Sequence, residues 1–265
     1  MSFLNKLYIG GEWREASDGG TFEVLNPADE SVITKVSSGT TEDAVACVNA
    51  AEAAFDGWAG LSPRERGEIL RKAYELFIKK IDDIAQLITL ENGKAGGDAI
   101  GEARYAAEFF RWYAEEAVRS DGHLGMAPAT GARILVHQKP AGISVLVTPW
   151  NYPAAMGTRK IGPALAAGCP VIVKPASETP LTMLALMPIL SEAGVPPGVV
   201  NILPSRSSGA VVSKMLSDPR VRVVSFTGST EVGRKLLHAA ADNIVKPAME
   251  LGGNAPFIVC KDANI

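Results

Sequence analysis

The fingerprint G-x-G-x-x-G is absent from this 265-residue chain, so the commonest sequence sign of a dinucleotide site is missing. No run of about 18 uncharged apolar residues occurs, which leaves no candidate membrane span. The first ten residues lack the basic-then-apolar layout of a signal peptide. There is no Lys/Arg block, and 26 basic against 29 acidic residues give a formal net charge of −3. That balance argues against a nucleic-acid surface. Cysteine is scarce: Cys47, Cys169 and Cys260 are odd in number and far apart. They form neither a disulfide framework nor a metal knuckle, so no metal and a reducing cytoplasm are expected. His123, His137 and His238 are scattered and read as incidental. Neither a fixed-period repeat nor a low-complexity tract occurs.

What is present suits one large or two small globular domains with a sizeable core, since 47% of residues are hydrophobic. Gly10-Gly11, between Leu7-Tyr8-Ile9 and Trp13, predicts a tight hairpin. Residues 14–40 carry turn signals. Ala44, Val48, Ala51 and Phe55 share one face of a helix beginning near Thr40. Ser62, Pro63 and Glu65 form a capping box with proline in the first turn. The stripe Ile69, Ala73, Leu76, Phe77, Ile81, Ile84, Leu87, Ile88 extends that helix to Asn92-Gly93. A third helix is predicted over 98–119, with the aromatics at 109, 110, 112 and 113 read as packing. Residues 121–131 read as a break, and 133–139 as a strand suited to an arm.

From Ile143 onward strand-like runs alternate with helical segments. Strands are predicted at 143–148, 170–174, 199–203, 222–226, 245–249 and 256–260, with helices at 154–167, 181–193, 208–217 and 229–241. This is the pattern of an α/β, Rossmann-like doubly wound parallel sheet. The runs 143–148 and 169–175 are nearly all apolar, as neighbours in a sheet covered on both faces should be. Ligands of such sheets bind beyond the carboxyl ends of the strands, so Trp150, Asn151, Lys174 and Ser177 are expected to gather there.

Each of these residues admits two readings. Asn151, before Tyr152-Pro153, suits a helix cap or an amide aimed at an oxyanion. Lys174 either reaches solvent or holds a ligand at a strand's end. Phe226-Thr227-Gly228-Ser229 marks a Ser-capped helix or an anion site at a helix N-terminus. Glu250, in Met249-Glu250-Leu251-Gly252-Gly253, is an exposed turn glutamate or a general base in apolar surroundings.

Taken together, TPWNYP (148–153), VIVKPAS (171–177), FTGSTEVG (226–233) and ELGGNAP (250–256) resemble the aldehyde dehydrogenase superfamily, in its order and spacing. The likeness runs the length of the chain and is greatest to the NAD(P)-dependent succinate-semialdehyde members. It implies that Asn151 supplies the side-chain half of an oxyanion hole and that Glu250 is the base activating water. The implied cofactor-binding set is Thr148, Pro149, Trp150, Asn151, Lys174, Pro175, Ala176, Ser177, Gly209, Phe226, Thr227, Gly228, Ser229, Val232 and Leu251. Lys174 would bond the adenosine ribose, Gly228 and Ser229 would lie on the diphosphate, and Leu251 would touch the nicotinamide end. Many family members carry Glu where Ser177 sits. A neutral serine admits a 2′-phosphate, so NADP binding at least comparable to NAD is expected. Met156-Gly157-Thr158-Arg159-Lys160 resembles the helix whose arginine meets the substrate carboxylate in succinate-semialdehyde dehydrogenases, which makes Arg159 the substrate-binding candidate. Its other reading is a solvated Arg-Lys pair.

The resemblance divides the chain into an amino-terminal hairpin and helices of the cofactor domain (1–125), an oligomerisation β-arm (126–142), the dinucleotide-binding unit (143–250) and the start of a catalytic domain (251–265). The family's nucleophile is a cysteine a few tens of residues beyond the ELGG glutamate. Cys260 is too near Glu250 and falls in a predicted strand; Cys47 and Cys169 read as core. The chain is therefore expected to be an amino-terminal part, with the catalytic domain largely missing, that does not turn over alone. The complete enzyme is expected to be a cytoplasmic homo-oligomer, dimer or tetramer, oxidising a small-molecule aldehyde. The rivals are an enzyme for another aldehyde such as betaine aldehyde, and a non-catalytic nucleotide-binding or assembly protein.

Overall fold

In the computed structural model, which describes residues 3–264, the predicted hairpin is present: β1 (Leu7–Ile9) pairs antiparallel with β2 (Glu12–Arg14) around Gly10 and Gly11, both at positive φ. Residues 14–40 hold more than turns. A second hairpin, β3 (Thr21–Leu25) and β4 (Val32–Ser37), buries Phe22, Val24 and Val36. The alternation of Phe22 and Val24 with exposed neighbours is the period-2 signal that the turn residues masked.

Thr40 caps α1 (Thr41–Ala59) through a capping box with Asp43, and Ser62 caps α2 (Pro63–Lys79) through one with Glu65. The single helix predicted from Ser62 to Asn92 is two. Lys80 leaves helical geometry, and α3 (Ile81–Asn92) starts afresh and ends on left-handed Gly93. A hydrophobic stripe passes through such a break without a change of period. α4 (Gly96–Glu116) follows, with Ala103, Ala107 and Phe110 buried; Trp112, expected in packing, stands 62% exposed. Part of the predicted break at 121–131 is a strand, β5 (His123–Met126), which pairs with β6 (Arg133–Val136) in a two-stranded ribbon.

The alternating half then runs β7 (Ile143–Val147), α5 (Ala155–Ala166), β8 (Val171–Lys174), α6 (Leu181–Ala193), β9 (Val200–Ile202), α7 (Ser208–Leu216), β10 (Val221–Gly228), α8 (Thr230–Ala241) and β11 (Lys246–Leu251). The main sheet has the order β11-β10-β7-β8-β9-β1-β2. β7 to β11 pair in parallel, and β1 joins β9 antiparallel. β7, β8 and β9 are buried almost throughout. Two apolar clusters lie on the sheet, one with α2, α4, α5 and α6, the other with α1, α7 and α8. This is the doubly wound arrangement expected.

The strand predicted at 256–260 is not formed. Residues 252–264 have no ladder partner among the described residues, and Phe257, Ile258 and Cys260 are exposed. An apolar run satisfies a strand pattern without supplying the neighbour that a strand needs. Cys47 and Cys169 are buried, as the core reading held.

Candidate functional site

Parallel register assembles the site. Met249 pairs with Phe226, Phe226 with Val147, and Val147 with Lys174, so one residue row crosses four strands. At about 4.8 Å per strand, the ends of β8 and β11 lie roughly 14 Å apart. Lys174, the 148–151 turn, Gly228 and Glu250 thus share the carboxyl edge of the sheet, where β7 lies between β8 and β10.

The turn after β7 carries Asn151. Thr148 donates its N–H to the Lys174 carbonyl at 3.2 Å, and Trp150 and Asn151 are exposed. The cap reading of Asn151 fails: the residue before α5 is Ala154, and no side chain caps that helix in the usual way. Glu102 of α4 does so from outside. Its Oε1 accepts the N–H groups of Ala154 at 2.9 Å and Ala155 at 3.3 Å.

At the end of β8, Lys174 is 4% exposed. Burial lowers its pKa from 10.5 to about 8, against the opposing pull of Glu178. It makes no ion pair among the described residues, so no carboxylate contacts this buried ammonium at the sheet edge. Pro175 and Ala176 are buried beside it. The Ser177 hydroxyl donates to the Ser205 carbonyl at 3.0 Å, and so does that of Ser208, at 3.2 Å. That ties the 174–178 turn to the start of α7, where Gly209 faces open space. Ser177, Glu178, Arg206 and Glu91 line a 440 Å³ cleft there.

At the end of β10, Phe226 is buried and Thr227 and Gly228 half-buried. Ser229 caps α8, its hydroxyl accepting the Val232 N–H at 3.3 Å. The cap reading of that serine is therefore correct. The first-turn N–H groups of Thr230 and Glu231 remain outside the helix's own bonds, as an anion site requires. Leu251 packs on that turn so closely that a Cβ on Gly233 would fall 2.5 Å from its Cδ2.

Glu250 is exposed, as the first of its two readings held, though it stands in β11 rather than in a turn. It lines a 580 Å³ cleft with Arg159, Lys160, Ser144, Ser225 and Cys169. The Lys160 pKa falls to about 8 through burial, while the charge of Glu250 pushes it up and that of Arg159 down. Arg159 is exposed and unpaired among the described residues, so its guanidinium is available to an anion entering the cleft.

Sequence reasoning missed Lys94, Glu102, Glu91 and Lys160. Three of them act from outside the alternating half, Glu91 on α3, Glu102 on α4 and Lys94 in the loop between them. Only the adjacency of Lys160 to Arg159 offered a signal.

A mostly parallel sheet covered by helices on both faces, with a buried lysine, a helix N-terminus and a carboxylate along one edge, is a Rossmann-like α/β unit. The aldehyde dehydrogenase family model matches residues 13–265, and the chain belongs to that family. It is 45% identical to a succinate-semialdehyde dehydrogenase [NADP(+)] of Escherichia coli over 99% of this chain and 54% of that protein. It is also 45% identical to a glutarate-semialdehyde dehydrogenase of Pseudomonas putida, over 99% of this chain and 55% of that one. The crystal structure of an E. coli NADP-dependent enzyme superposes with a TM-score of 0.93 at 45% identity, covering 99% of this chain and 54% of that one. The chain spans about half the length of these relatives. No helix among the described residues is long and apolar enough to cross a membrane.

Proposed function

We propose that this chain is the cofactor-binding part of an NAD(P)-dependent aldehyde dehydrogenase that oxidises succinate semialdehyde, or a similar carboxylate-bearing semialdehyde, to the acid. The observation that carries the reading is the shared edge: a buried, unpaired Lys174, the Asn151 turn and Glu250 at the ends of adjoining parallel strands. The names of the relatives, semialdehyde dehydrogenases with NADP(+) in one case, support it.

In this reading Lys174 and Ser177 hold the adenosine ribose and its 2′-phosphate, with Thr148, Pro149, Trp150, Pro175, Ala176 and Gly209 around them. Phe226, Thr227, Gly228, Ser229 and Val232 present the diphosphate site, and Leu251 meets the nicotinamide. The cofactor, NADP with NAD also accepted, supplies hydride acceptance when bound. Asn151 donates its amide to the oxygen of the aldehyde as negative charge develops there. Glu250 takes a proton from the water that releases the acid from a cysteine thioester. Arg159 holds the distant carboxylate. The four-part domain division, the assembly of the complete enzyme as a homo-oligomer through the β5–β6 ribbon, and a cytoplasmic location belong to the same proposal.

Steady-state kinetics of the full-length protein with succinate semialdehyde, a longer semialdehyde and betaine aldehyde test it. The highest kcat/KM should fall to a carboxylate-bearing aldehyde with NADP+. Preference for the cationic aldehyde would overturn the substrate assignment, and absence of NADP+ reduction with all three would overturn the activity.

A further inference from the structure

The exposed stretch 150–152 has no regular structure of its own, yet two consecutive carbonyls of its backbone are held from outside. Asn92 Nδ2 donates to the Trp150 carbonyl at 2.9 Å. Lys94 Nζ donates to the Asn151 carbonyl at 3.0 Å and sits 3.8 Å above the Tyr152 ring. The same ammonium pairs with Glu102, whose other oxygen holds the Ala154 and Ala155 N–H groups. Glu102 comes from the second turn of α4, and Asn92 and Lys94 from the α3–α4 junction. Gly93, at φ +75, turns the chain there so that the residues on both its sides meet the turn. A Cβ on Gly93 would fall 2.9 Å from Pro27 Cγ.

We propose that Lys94, oriented by Glu102, is a positioning residue that sets where the Asn151 amide points. The inference rests on the oxyanion role given to Asn151 above. The Lys94 and Glu102 side chains are 15% and 1% exposed, so their charges face each other largely out of water. An ammonium with several donors in that setting fixes the Asn151 carbonyl, and through it the φ and ψ that aim the side chain. An oxyanion donor must lie within hydrogen-bond reach of the developing charge, so freeing its peptide moves it out of register. Lys94 touches neither substrate nor cofactor in this scheme.

A double-mutant cycle in the full-length protein separates positioning from general packing. Lys94→Met should lower kcat with succinate semialdehyde by roughly tenfold to a hundredfold, leaving KM and the Kd for NADP+ within about threefold. Lys94→Arg, which keeps charge and donors, should recover most of that loss. In an Asn151→Ala background, Lys94→Met should cost less than about twofold more, because its route to the reaction is gone. Independent multiplicative losses, or an unchanged kcat in Lys94→Met, would overturn the proposal. If Lys94→Met does not fold, Lys94→Gln, which removes the ammonium but keeps a polar side chain against Glu102, is read by the same cycle and the same criteria. Full activity in Asn151→Ala alone would instead strike the oxyanion role, a distinct failure.

Discussion

Lys160 reaches from α5 to β10 and donates to the Ser225 hydroxyl at 2.7 Å, in the cleft that Glu250 also lines. It shares with Lys174 a depressed pKa near 8 whose first cause is burial. For each, the unfolded chain holds a proton up to about 10.5 that the folded chain releases near 8, so unfolding free energy rises with pH across that window. The contribution is complete above 10.5 and lost as pH falls through 8. Glu91 acts in reverse. Its carboxylate accepts the Leu181 and Thr182 N–H groups at 2.7 and 2.8 Å, and burial raises its pKa from 4.5 to about 7. Its contribution is complete below 4.5 and lost as pH rises through 7. Urea titrations from pH 4 to 10.5 should show both trends, and Lys174→Met should flatten the alkaline rise. An identical slope in that variant contradicts the assignment.

The Lys174 titration has a second readout. A charged ammonium attracts a 2′-phosphate, so affinity for NADPH should weaken as pH rises through 8, and Lys174→Met should remove that dependence. Fluorescence titration of bound NADPH measures it.

Ser177 has no charge to repel a phosphate. Ser177→Glu should shift the NADP/NAD affinity ratio toward NAD by at least about tenfold, or 1.4 kcal/mol. Paired Kd measurements decide it; a ratio that does not move places the 2′-phosphate elsewhere.

Arg159 should matter to substrate capture rather than to turnover. Arg159→Met is expected to raise the KM for succinate semialdehyde roughly tenfold or more with kcat little changed, and to leave the KM for an uncharged aldehyde as it was. Equal effects on both aldehydes would remove the carboxylate role.

Gly67 of α2 lies against the backbone of α4. A Cβ there would lie 2.7 Å from the Ala114 carbonyl oxygen, a backbone atom that cannot swing aside. Gly67→Ala should cost roughly 1–3 kcal/mol of stability. A Tm equal to the parent's would show that the helices separate freely.

The alternating half was legible in the sequence nearly strand by strand, because buried parallel strands are short apolar runs whose ends are marked by Pro149, Pro175 and Gly228. The same local marks singled out Asn151, Lys174, Ser229 and Glu250, and the register places them on one edge. Pairing was not legible. The residues of β3 and β5 lay among turn residues that outweighed their alternation, and 256–260 had the pattern of a strand but no partner. Side chains acting across the fold were equally hidden. Nothing around Glu102 tells that it caps a helix 52 residues later, since that contact exists only once α4 lies against α5.

β1 adds to the sheet beside β9, with Tyr8 opposite Ile202. During synthesis β1 therefore leaves the ribosome with its hairpin partner β2 but long before β9 exists. At about 5–20 residues per second the wait is roughly 10–40 s. Throughout it Leu7, Tyr8 and Ile9, all buried in the finished fold, stand without cover. Nascent chains of this protein should engage a chaperone at β1, and release it only when β9 emerges.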